Sequence, residues 1–287
     1  MEAERSVTVQ LLRRRDIPFG MELKNRAGWN QLPEDWERYL AWEPKGCFLA
    51  RWRGEPAGTA VTITYGHRCG WIGAVLVLPE LQRRGIGAAL MGRCLDYLDS
   101  WGVDTVKLDA TEAGRPLYER LGFIPEYGVA RYEAAAKGSA GSAGEAGVKP
   151  LQATDLEAVC AFDTAAFGAD RSRVLRSLHA AGESWVLRGA ASPIGYLFRR
   201  PGLHADYLGP WVGVAPEAAE PLLQRALRAV AGRRVAMDVN LGNPLAAGLA
   251  EHCGLVKQRE FLRMVRGSNT FPVRTDLIYA SAGPEIG

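Results

Sequence analysis

Residues 134–147 are three alanines and a lysine followed by glycine, serine and alanine in alternation, interrupted by one glutamate. No side chain in this run can anchor a hydrophobic core, so it reads as a flexible linker. It falls near the middle of a 287-residue chain. Each flank has the length of one ordinary domain, roughly 100–200 residues. The expected organisation is one domain over 1–133, a linker over 134–147 and a second domain over 148–287.

The composition, 47% hydrophobic and 23% charged with a net charge of +3, is that of a globular protein and not of a disordered one. The charge is too mild, and basic runs too scarce, to indicate a nucleic-acid partner. No stretch approaches the roughly 18 consecutive apolar residues that cross a bilayer, and Met1–Arg5 has no apolar signal region. The cysteines (Cys47, Cys69, Cys94, Cys160 and Cys253) are widely spaced and include no C-x-x-C pair. The histidines (His67, His179, His204 and His252) lack helical ligand spacing. Buried free thiols in a cytoplasmic protein without a metal site are the expectation.

The first half reads as a mixed α/β unit. Alternating or continuous apolar runs predict strands over 7–12, 46–52, 56–65, 73–78, 105–111 and 129–133. Helices are expected over 19–25, over 32–40 with Pro33 in its first turn, over 87–101 and over 116–121, the last closed by Gly122. In the third, Leu90, Met91, Cys94, Leu95 and Leu98 share one face.

The chemistry-bearing stretch lies between the strand ending at Pro79 and the helix starting near Gly85. Gly85 and Gly87 let the backbone approach a ligand closely, and several N–H groups converge at the positive end of a helix. Such a nest suits a pyrophosphate, and Arg83 and Arg84 add charge. A Walker loop is excluded because no Lys-Ser or Lys-Thr follows, and a dinucleotide fingerprint because the third glycine is missing. Gln82-Arg83-Arg84-Gly85-Ile86-Gly87 fits Q/R-x-x-G-x-G/A and resembles the acetyl-CoA loop of the GNAT acetyltransferase superfamily. Downstream, Leu117, Tyr118, Gly122 and Phe123 resemble that superfamily's L-Y-x-x-x-G-F signature.

The resemblance implies an acetyl-CoA-dependent N-acetyltransferase that passes an acetyl group directly to a primary amine. The thioester would lie by Leu76, Val77 and Leu78 on one side and Thr111 on the other. The pyrophosphate would lie on Gln82, Arg83, Arg84, Gly85, Ile86, Gly87 and Ala88. Backbone N–H groups near Val77 would stabilise the oxyanion. Tyr118 matches the acid that protonates the departing thiolate. Thr111 departs from the asparagine often found there and offers one hydroxyl in place of an amide. For the general base, Asp109, which shares a strand face with Thr111, is a candidate beside His67, Tyr65 and a water relay, all of which stay open. Trp29 and Asn30 lie where the family shapes its acceptor pocket, although Trp29 and Trp36 equally suit a core.

In the second half, Asp238 to Leu255 repeats Val106 to Phe123 at a constant shift of 132 residues. Thr111 matches Asn243, Leu117 matches Leu249, Gly122 matches Gly254 and Phe123 matches Leu255. A repeat of this length means a duplicated domain. The loop is not repeated: Glu220, Leu222 and Gln224 stand where Arg83, Gly85 and Gly87 do, and Ala250 replaces Tyr118. The fold expected is therefore α/β, two tandem GNAT-like folds on mixed sheets, as in bacterial tandem GNAT proteins, with acetyl-CoA bound by the first alone. The second would shape the acceptor pocket or an interface, with Asp163, Phe167 and Arg171 as candidates to reach that pocket. The acceptor would be a small amine or a peptide N-terminus, and a homodimer stays open. A non-catalytic acyl-CoA sensor or interaction module is the alternative.

Overall fold

A computed structural model of the chain describes residues 7–136, 147–269 and 273–287. Most of the expected linker, 137–146, lies outside the described residues. Its first two alanines, Ala134 and Ala135, belong to a strand.

The first half runs β1 (Val7–Leu11), α1 (Ile17–Arg26), α2 (Pro33–Trp42), β2 (Cys47–Trp52), β3 (Glu55–Tyr65), β4 (Cys69–Val77), α3 (Ile86–Ser100), β5 (Thr105–Ala110), α4 (Arg115–Arg120) and β6 (Ile124–Ala135). The second half runs β7 (Val148–Pro150), α5 (Leu156–Phe167), α6 (Ser172–Ala181), β8 (Glu183–Arg188), β9 (Pro193–Arg200), β10 (Asp206–Gly213), α7 (Pro216–Ala229), β11 (Arg234–Asn240), α8 (Ala246–His252), β12 (Val256–Gly267) and β13 (Ile278–Ala280). The element order is the same in both halves until β13, and β6 and β12 match residue for residue at the shift of 132. Local chemistry explains the boundaries. Pro33 opens α2, where the Asp35 carboxylate accepts the orphan N–H of Leu32 at 2.7 Å. The apolar face of α3 is buried as its period requires. β4 begins four residues before the expected strand, at Cys69, because the earlier residues are buried as well.

The halves do not keep their strands to themselves. One mixed sheet of 13 strands runs β1-β2-β3-β4-β5-β12-β6-β11-β13-β10-β9-β8-β7. β12 of the second half sits between β5 and β6, and β6 of the first half sits between β12 and β11, all antiparallel. A buried ion pair locks each crossing. Arg131 on β6 faces Asp238 on β11 with bonds of 2.6 and 2.9 Å. Arg263 on β12 faces Asp109 on β5 with bonds of 2.8 and 2.9 Å. Arg131 and Arg263 occupy equivalent positions of the repeat. Such paired, doubly bonded charges tolerate burial, whereas an isolated buried charge does not.

Each half has one pair of parallel strands, and their fates differ. β4 and β5 pair over Cys69–Trp71 with Thr105–Lys107 and then separate. β10 and β11 pair at Asp206 and Tyr207, after which β13 fills the gap, bonding to both. From β13 the chain continues across the first half: Tyr65 donates to the Ile286 carbonyl at 2.6 Å and Trp71 to that of Pro284 at 2.9 Å. The core between the halves is shared, with Trp36, Tyr65 and Trp71 packed with Phe167, Tyr196 and Ile286.

Candidate functional site

The open gap between β4 and β5 is the floor of a cavity of about 890 Å³. One end is backbone. β4 stops at Val77, a short turn follows over Pro79–Leu81, and Gly85 precedes α3 with φ 85°. No side chain caps α3, whose first intrahelical bond runs from Ala89 N–H to the Gly85 carbonyl. The N–H groups before Ala89 are therefore left for a ligand. A Cβ at Gly85 would meet no protein atom within 4 Å, but φ 85° favours glycine there. This end fits a pyrophosphate on uncapped amides.

Of the expected cofactor residues, Leu76, Val77 and Thr111 line the middle of the cavity, and Gln82, Arg83, Gly85, Ile86, Gly87 and Ala88 line this end. Leu78 and Arg84 do not. The Arg84 guanidinium lies over the Trp52 ring at 5.8 Å, a cation–π contact that draws it off the loop. Tyr118 lines the cavity with no hydrogen-bond partner among the described residues, and burial pushes its phenol above the ordinary value. It stays protonated at neutral pH and has a proton to give. The Thr111 hydroxyl accepts from Gly114 N–H at 3.2 Å, starting α4 and presenting Tyr118.

The other end is built by both halves. Trp29 and Asn30 line it, as expected. Asn30 acts as a clamp, donating to the Ala205 carbonyl at 2.8 Å and accepting from His204 N–H at 2.8 Å. Asp109 also lines the cavity, but both its oxygens are held by Arg263. Burial raises its carboxyl and Arg263 opposes the rise. A carboxylate so bonded is poorly placed to collect a proton. His67 contacts the Trp101 carbonyl, and Tyr65 is buried on Ile286, both away from the cavity. Asp163 and Arg171 also lie away from it. They bond each other at 2.8 Å twice, with Tyr196 on Asp163, and Arg171 holds the Gly287 carbonyl at 2.7 Å. Buried with Phe167 under the guanidinium, they anchor the segment after β13 instead of lining the cavity.

That segment carries the residue which sequence reasoning missed. Glu285 is 3% exposed, lines the cavity and accepts from the Gln31 amide. Its backbone crosses Gly73 of β4, where a Cβ would fall 2.4 Å from the Glu285 Cα. Glycine at 73 is therefore required for the crossing. Burial lifts the Glu285 carboxyl to about 7, against the pull of Arg200 and Arg131 and with a push from Asp238. A carboxyl poised there can take a proton at neutral pH. The sequence signal was slight: one acid among Gly, Pro, Ala and Ser with no period.

The description of the acetyltransferase (GNAT) family matches residues 17–123, and that of an acetyltransferase (GNAT) domain matches residues 159–280. The N-acetyltransferase YitH of Bacillus subtilis, itself uncharacterized, is 29% identical over 158 residues, 55% of each chain. The N-alpha-acetyltransferase MAK3 of Arabidopsis thaliana is 34% identical over 87 residues, 28% of this chain and 46% of its own. The chain thus spans about half the length of these curated relatives. A solved structure from Pyrococcus horikoshii, described as a candidate acetyltransferase, superposes with a TM-score of 0.84 at 26% identity, over 98% of this chain and 96% of that one. A tandem GNAT protein from the clavulanic acid pathway shares the fold at 13% identity, with a TM-score of 0.61 over 91% and 98%. Uncapped amides beside an open strand gap in one half, and the same element order in the other, agree with both matched descriptions: the chain belongs to the GNAT acetyltransferases and carries their domain twice.

Proposed function

We propose that the chain is an acetyl-CoA-dependent N-acetyltransferase with one working site, in its first half, and that it transfers the acetyl group directly to a primary amine. The carrying observation is the contrast between the two strand gaps: β4 and β5 open onto an 890 Å³ cavity, while β13 fills the gap between β10 and β11. Acetyl-CoA supplies the acetyl group as a thioester. Arg83 and the amides from Gly85 to Ala88 would hold its pyrophosphate. N–H groups at the free edge of β4 would take the oxyanion charge. Glu285 accepts the proton of the attacking amine as the C–N bond forms, and Tyr118 gives its proton to the sulfur as the C–S bond breaks. No Ser or Cys nucleophile is needed: Cys47, Cys69 and Cys94 are buried, and burial pushes their thiols up.

Calorimetric titration with acetyl-CoA, run beside a thiol-release assay on an amine panel, tests the reading. One site per chain with amine-dependent release is expected. Two sites, no site, or binding without release to any amine would overturn it.

A further inference from the structure

Resting on the transferase reading above, we infer that the acceptor is an amine that carries a carboxylate, and that the cross-strand pair Arg131 and Arg259 binds that carboxylate. The two arginines stand directly opposite each other on β6 and β12, and both line the cavity. Like charges directly opposite in a sheet are destabilising, so the arrangement calls for an anion between them. Among the described residues, Asp238 is the one carboxylate that bonds either of them. It takes Nε and Nη2 of Arg131 and leaves Nη1. Arg259 makes no ion pair among the described residues; its guanidinium lies over the Phe261 ring at 5.1 Å. Arg259 is exposed on the cavity wall, and desolvation and the facing Arg131 draw it below the usual arginine value while Asp238, Glu133 and Glu285 push the other way.

The surrounding charges favour an anion at this end. Arg200 adds a third guanidinium at the wall. Its Nη1 is buried without a partner, and its Nε lies 3.8 Å from an Asp35 that Arg38 already holds at 2.6 Å. Arg131, Arg200 and Arg259 thus face Asp238 and a Glu285 whose carboxyl titrates at about 7, a positive surplus that an anionic group on the acceptor would fill. Arg131, Arg200 and Arg259 all act on Glu285, so the acceptor's anionic group would lie beside the proposed base and not at the pyrophosphate end. Bringing a negative charge there also makes Glu285 a stronger base when the acceptor binds. Trp29, Tyr207 and Phe261 give the same end aromatic walls, which suits an amino acid with an apolar side chain.

The test compares matched acceptors on the full chain with acetyl-CoA: the standard amino acids, their amides, and amines bearing a phosphate in place of the carboxylate. A charge-assisted contact predicts a kcat/KM advantage of about tenfold or more for the carboxylate over its amide. Arg259→Gln should shrink that ratio towards one, and Arg259→Lys should restore part of it. Equal rates for carboxylate and amide twins, a preference for the phosphate-bearing amine, or a ratio untouched by Arg259→Gln would overturn the inference while the transferase reading stands. Binding of acetyl-CoA without release to any amine would overturn both.

Discussion

The two copies keep the same strand and helix order, yet they treat the gap between their parallel strands in opposite ways. In the first, residues 78–85 separate β4 from α3, and Gly85 leaves the helix amides uncovered. In the second, 214–215 alone separate β10 from α7, and Ala218, Ala219 and Leu222 bury the start of the helix. The first gap is open and the second holds β13. The second copy fills its gap with its own strand and keeps its sheet continuous, and the chain leaving that strand carries Glu285 into the first copy. One copy has become the other's wall.

The largest expected effects test the mutual dependence of the halves. Asp109→Ala and Asp238→Ala each leave a buried arginine unpaired across an exchanged strand, at a cost of about 3–5 kcal/mol. Denaturant unfolding should show comparable losses, and a silent change at either position would break the symmetry. Next, Glu285→Gln should lower kcat by about 100-fold or more, as loss of a general base does. The wild-type rate should rise with pH through about 7, and that limb should vanish in the variant. Stability gives the matching sign. A carboxyl raised from 4.5 to about 7 favours the folded state below 4.5 and loses that contribution as pH rises through 7. The variant should therefore gain on the wild type in melts above pH 7. Gly85→Val should weaken acetyl-CoA binding by about tenfold or more by calorimetry, since a β-branched residue at φ 85° is strained. Tyr118→Phe has the smallest effect, a fall in kcat of about tenfold with acetyl-CoA affinity unchanged, because a thiolate leaves without much help.

Much of this contrast could be read from residues alone. The apolar period of α3, the loop at Gln82–Gly87 and the shift of 132 gave the elements of the first half and the duplication. The exchange of β6 and β12 could not be read, because the two strands are equivalent in the repeat and pair by the same alternation with either half. Asp109 shows what pattern reasoning misses. Its strand face was inferred well, but its partner Arg263 is 154 residues away. Asp163 and Arg171 were expected to reach the acceptor pocket, and instead they pair with each other and hold the Gly287 carbonyl as an anchor. Arg131 was legible in retrospect, since the shift of 132 pairs it with Arg263.

The exchanged strands also constrain the order in which a growing chain can reach its final form. β5 gains a partner on the edge away from β4 only when 256–267 exist, and the cavity gains Glu285 later still. A chain emerging from the ribosome carries the complete loop at 82–87 long before it has β12 beside β5 or Glu285 in the cavity wall. Contacts of such long sequence range close slowly. The first half cannot mature ahead of the second, and the proposed chemistry would be withheld until synthesis of the second half is nearly complete.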